Sequence, residues 1–141
     1  MSKKIKAKKL NNLQLIGTFF VDSGQAMIGD PIHLDNYKSF DPNEKFDIDD
    51  HVNHVGEYSY MGAVNATLTN GFNTLGDHDA TVFSTGNGDG LYPVYAQIEE
   101  FDEWGPRVWA VVIDMSRHGR YVYDKSQHQQ HLLPSSDECE C

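Results

Sequence analysis

The sequence predicts a mainly β protein: a single-domain antiparallel β-sandwich or small barrel, with one short helix or acidic loop near 41–54. Three observations lead there. Short runs rich in β-branched and aromatic residues recur at intervals of roughly 8–14 residues. Glycine and asparagine turn signals separate them, and no stretch sustains the 3.6-residue apolar period of an amphipathic helix. At 141 residues and 39% hydrophobic, the chain is long enough to bury a core without staples.

Each element has a local reason. Residues 13–21, LQLIGTFFV, read as a strand, and Asp22-Ser23-Gly24 as a turn, because Asp and Ser bond their own backbone and Gly24 accepts positive φ. The following QAMI reads as a second strand, so a β-hairpin is expected over 13–29. Residues 30–56 hold seven acidic residues, two prolines and three histidines, and Asp41-Pro42-Asn43-Glu44 is a helix-start signal. Residues 57–71 alternate like a strand and end on the Asn70-Gly71 turn signal. Further strands are expected at 80–85, 91–98 and 107–115, with a last short one at 120–124. The domain organisation follows: a basic N-terminal tail over 1–12, a β-rich domain over 13–125 and a loose acidic tail over 126–141.

Charge narrows the function classes. The formal net charge is −10, yet Lys3, Lys4, Lys6, Lys8 and Lys9 supply five of the eleven basic residues. The rest of the chain carries six basic residues against 21 acidic ones, a balance that repels phosphate backbones and argues against broad nucleic-acid binding by the acidic body. It suits a basic partner, a divalent cation or plain solubility, while the lysine tail suits an acidic partner surface. No apolar run approaches the roughly 20 residues of a membrane span, and no uninterrupted signal-peptide core is present, so a cytoplasmic protein is expected. Cys139 and Cys141 lie in the final DECEC without a zinc-finger pattern around them.

The candidate sites divide into turns and clusters. The GNGDG stretch, with Gly86, Gly88 and Gly90, has its third glycine one residue too early for the dinucleotide fingerprint, and a proline-containing strand follows instead of a helix. A strand-to-strand turn explains it better than a phosphate cradle. Asp47, Asp49 and Asp50 stand beside His51 and His54, and Asp77 and Asp79 flank His78, so hard oxygen donors lie beside imidazoles in both places. Asp22, Asp30, Asp89 and Asp114 fall at expected strand ends. If those ends share one rim, four carboxylates face one another there, and a divalent cation would relieve their repulsion. The alternative is that each caps its own turn. Ser23 and Ser84 lie outside any nucleophile elbow, so neither they nor any other residue is put forward as catalytic, and no cofactor beyond a divalent cation is implied. Trp104 and Trp109 flank one strand, one expected in the core and the other on a contact surface.

VDSGQAMIGDP at 21–31, STGNGDGLYPVYAQI at 84–98 and RVWAVVID at 107–114 together resemble a group of small uncharacterised proteins of bacteria and their phages. Members of that group often continue Asp-Pro with Cys-Tyr, where this chain has Ile32-His33, so any role of that cysteine is lost or altered here. The resemblance implies a β-rich accessory domain, phage-encoded, with Asp22, Asp30, Asp89 and Tyr92 as signature positions. It carries no activity with it.

The leading expectation is therefore a non-enzymatic binding or assembly module, a phage accessory or structural component with a protein partner or a second copy of itself. Lys3, Lys4, Lys6, Lys8, Lys9, Tyr92 and Trp104 are its expected contact residues. It would act in the host cytoplasm or the virion. The alternatives are a divalent-metal-dependent hydrolase or transferase using Asp22, Asp30, Asp89 and Asp114 with His51, His54 and His78, and an acidic mimic of DNA that inhibits a host protein.

Overall fold

A computed structural model describes residues 6–39, 41, 43, 54–116 and 123–125, and among these described residues lie six strands and one short α-helix. In order they are β1 (Gln14–Val21), β2 (Gln25–Gly29), α1 (Tyr60–Ala66), β3 (Phe72–Leu75), β4 (Ala80–Ser84), β5 (Gly90–Phe101) and β6 (Gly105–Val112). Single 3-10 turns lie at Pro31–Asn36 and Asp102–Trp104. The strands form two three-stranded antiparallel sheets, ordered β1-β5-β6 and β2-β4-β3, so the fold is mainly β and neither sheet is a closed barrel. Among the described residues, no helix is long and apolar enough to cross a membrane.

The chain divides into two compact units. One contains Val21–Gly90; the other takes the chain before it, up to Phe20, and the chain after it, from Leu91. In the Val21–Gly90 unit, β4 is the central strand. Alternation sends Ala80 and Val82 to one face, and the register sets Ala80 between Gly29 and Leu75, and Val82 between Met27 and Asn73. Helix α1 packs on this sheet, and its Ala63 and Ala66 join Tyr58, Leu75, Ala80 and Val82 in one buried cluster with Tyr37 against it. The opposite face, with Ile28 and Phe72, is open.

The sequence suggested a strand where α1 lies. The helix starts because the Ser59 hydroxyl accepts from the Gly62 amide, the bond an N-cap makes. A Cβ on Gly62 would come within 1.9 Å of the Glu57 carbonyl oxygen, so this first turn requires glycine. The buried face is built from Gly62, Ala63, Asn65 and Ala66, too small or too polar to register as an apolar stripe. Asn70-Gly71 ends this segment: Gly71 has φ 80° and its amide donates to the Thr67 carbonyl. The helix expected from Asp41 falls mostly outside the described residues. Within them, Asp41 Oδ1 accepts from the Asn43 amide.

The expected hairpin over 13–29 is not formed. β1 pairs in the sheet with β5, while β2 pairs with β4. The reason is that Gly24, in the expected turn, spends its backbone groups on residues far away in sequence. The Gly24 amide donates to Asp89 Oδ1 at 2.7 Å, and the Gly24 carbonyl accepts from the Thr85 amide at 2.9 Å and hydroxyl at 3.2 Å.

In the other unit, β5 and β6 form a hairpin from Tyr95↔Val112 to Phe101↔Gly105. Gln97 faces Ala110 but Ile98 faces Val108, so Trp109 is the extra residue of a β-bulge. Tyr92 packs on Phe19 of β1 with ring centroids 5.9 Å apart. Leu13 pairs with Lys125 in an isolated parallel bridge, its amide donating to the Asp124 carbonyl. The last strand expected at 120–124 lies largely outside the described residues, as do both cysteines.

Candidate interaction surface

The carboxylates expected to form a rim each have local work where the structure describes their bonds. Asp30 Oδ1 accepts from the Ile32 amide and so caps the 3-10 turn that Pro31 begins. Asp89 holds the Gly24 amide, and Asp114 Oδ1 accepts from the amide and hydroxyl of Ser116. Asp22 is exposed beside Ser23. His78 is exposed on the β3–β4 turn with φ 61°. His54 Nδ1 meets Glu57 Oε2 at 2.9 Å, and Lys38 Nζ lies 3.4 Å from the other oxygen of that carboxylate. The hydrogen bond from His54 is the largest influence holding the Glu57 carboxyl below its ordinary range; partial burial opposes it and Lys38 assists. His51 lies outside the described residues. Among the described residues, no three His, Cys, Asp or Glu side chains converge as a metal ion requires.

The GNGDG stretch turns the chain without closing a hairpin, since β4 and β5 belong to different sheets. Buried Thr85 organises it. Its hydroxyl bonds the Gly88 carbonyl at 2.6 Å, and the Gly88 amide returns to the Thr85 carbonyl at 3.1 Å. Together with the Gly24 bonds this ties DSG to TGNGDG, which gives Asp89 and the neighbouring glycines a structural role.

Several large aromatic side chains face solvent together at the β5–β6 hairpin end. Gly105, with φ 73°, and Asp102, with φ 33°, make the tight return between the strands, and the intervening 3-10 turn carries Trp104 outward. Trp104 is 67% exposed, Trp109 56% and Phe101 42%. The three rings are contiguous: Phe101 lies 5.8 Å from Trp104 and 6.1 Å from Trp109, centroid to centroid, in tilted or edge-on arrangements. The Arg107 guanidinium sits 5.7 Å over the Trp104 ring. Four of the five residues from Glu99 to Glu103 are acidic. Lys8, on the basic N-terminal segment, reaches Glu99 Oε1 at 2.5 Å.

Of the expected contact residues, Trp104 is therefore on the surface, Lys6, Lys8 and Lys9 are exposed, and Lys3 and Lys4 lie outside the described residues. Tyr92 is only 5% exposed, and its ring packs against Phe19. The division of the tryptophans into one core and one surface residue does not hold, because the bulge leaves Trp109 exposed beside Trp104. Phe101 and Arg107 escaped the sequence reading, and Trp109 was not assigned to the surface. Their signal was the density of aromatic and acidic residues in EEFDEW followed by RVW, which becomes a surface only once the hairpin folds back on itself.

The model of a family described as Protein of unknown function (DUF4241) matches residues 3–105. The match spans more than half of the chain, and the chain belongs to that family. No curated protein and no solved structure matches it.

Proposed function

We propose that this member of the DUF4241 family is a protein-binding module that presents the β5–β6 hairpin end to its partner. The observation carrying this reading is the contiguous, solvent-facing trio Phe101, Trp104 and Trp109. Single exposed apolar residues are ordinary, but a cluster of large rings is a feature of interaction sites. Fully burying a ring of this size is worth about 1.5–3 kcal/mol, and the isolated chain forgoes part of that gain at each of three half-exposed side chains. Aromatic and arginine side chains are also the ones that dominate interface energetics, and Arg107 completes such a set.

The reading fits a binding or assembly component, phage-encoded or bacterial, better than a hydrolase, because the carboxylates with described bonds cap turns or tie loops. Photo-crosslinking tests it. Benzoylphenylalanine placed at position 104 should give a protein adduct in the cells that make this chain. The same group at exposed position 35 should not, and Trp109→Ala should diminish the adduct. Absence of any adduct from position 104, together with a monomer in sedimentation, overturns the reading.

A further inference from the structure

The hairpin end combines two features that together select a partner by its chemistry. Its rings offer apolar faces, and Glu99, Glu100, Asp102 and Glu103 adjoin Phe101 and Trp104 in the sequence with negative charge. We infer, on the basis of the binding reading above, that the partner presents a lysine- or arginine-rich segment to this hairpin, and that the chain's own Lys8 occupies part of that seat meanwhile.

Two contacts already made within the chain show what the surface accepts. Lys8 is 91 positions away from Glu99 in sequence and its side chain is 81% exposed, yet its ammonium lies on that carboxylate. Arg107 stacks its guanidinium on Trp104. One cation is thus seated on the acidic rim and another on an aromatic face. A basic segment would use both modes, laying its aliphatic stems on the rings and its charged heads on Glu100, Asp102 and Glu103. A phosphate-bearing partner would meet repulsion from the same four carboxylates. A neutral apolar segment would leave those carboxylates desolvated without compensation.

The molecule carries its own reporter. Its only two tryptophans are Trp104 and Trp109, so intrinsic tryptophan emission reads this surface alone. The full chain is titrated with a lysine octamer, with a glutamate octamer as control. The lysine octamer is expected to change the emission saturably and to bind more weakly as salt rises. Lys8→Gln should tighten that binding about two- to fivefold, the worth of an exposed ion pair that no longer competes. Combining Glu100→Gln, Asp102→Asn and Glu103→Gln should weaken it about tenfold or more. The same charge removed elsewhere, by Asp35→Asn, Asp41→Asn and Asp77→Asn, should change it less than about twofold once the interaction is screened at physiological salt. Equal weakening by the two triple variants would mean attraction to net charge alone and would overturn the inference, as would emission that ignores the lysine octamer. A crosslinked adduct from position 104 without any response to the octamer defeats the cationic partner while leaving the binding reading intact. Because Lys8→Gln alters an exposed side chain outside every strand, its result stands even if the acidic triple variant folds poorly.

Discussion

The helix-covered face of the β2-β4-β3 sheet and the end of the β5–β6 hairpin use apolar residues in opposite ways. On the sheet, the covering element is made of small residues. Ala63 and Ala66 let α1 approach closely, and Leu75 and Val82 vanish from solvent beneath it. At the hairpin the residues are far larger, yet Phe101, Trp104 and Trp109 remain outside. Side-chain size therefore does not decide burial here; the presence of a covering element does. A tight return and a bulge project the large rings away from their own strands, and such an arrangement gains stability only when something else covers it.

Leu75→Ala removes a fully buried side chain and is expected to destabilise folding by about 2–5 kcal/mol in denaturant unfolding. A cost below about 1 kcal/mol would mean the helix-covered face is loosely packed. Gly62→Ala should follow, at about 1–3 kcal/mol, because its new methyl is aimed at the Glu57 carbonyl and the first turn must shift. Unchanged stability there would place the helix start elsewhere.

A third test uses pH within the unit that carries the hairpin. Burial, with Asp114 and Tyr95 adding to it, pushes the Tyr123 phenol up to about 12 from 10.0. A raised folded value contributes stability that is complete below pH 10 and lost as pH rises through about 12. Alkaline unfolding should therefore sharpen over that window and flatten in Tyr123→Phe, with absorbance near the phenolate band following the same change. An identical alkaline limb in the variant would show that Tyr123 is solvated. The smallest effect is expected on the exposed side. Trp104→Ala should alter stability by no more than about 0.5 kcal/mol in denaturant unfolding. A large loss of stability would instead make that ring part of the fold.

Much of the strand content was legible, because β-branched and aromatic runs around 14–21, 80–84 and 105–112 carry their preference locally. What escaped was set by distant partners. Nothing between residues 13 and 29 announces that β1 and β2 separate into different sheets; the deciding bonds come from Thr85 and Asp89. The helix at 60–66 was obscured by its own design, since a face of glycine, alanine and asparagine leaves no apolar stripe, while Tyr58 and Tyr60 mimic strand alternation. At the site, the sequence marked Trp104 as an expected contact residue, and the structure leaves its side chain exposed. Its neighbours were not so marked, because Phe101 and Trp109 come together only through hairpin pairing and a one-residue bulge.

The stitch between Gly24 and Asp89 has a bearing on how the chain reaches this state. The two residues stand 65 positions apart, near the two limits of the Val21–Gly90 unit. Once that unit has folded and fastened its own ends, the chain separating β1 from β5 is no longer a long floppy tether but a short, nearly rigid detour. The entropic barrier to pairing those two strands falls accordingly, since closure then involves only a handful of free residues. A non-local sheet would thereby assemble with the kinetics of a local one, its order of folding written into a glycine amide and a carboxylate.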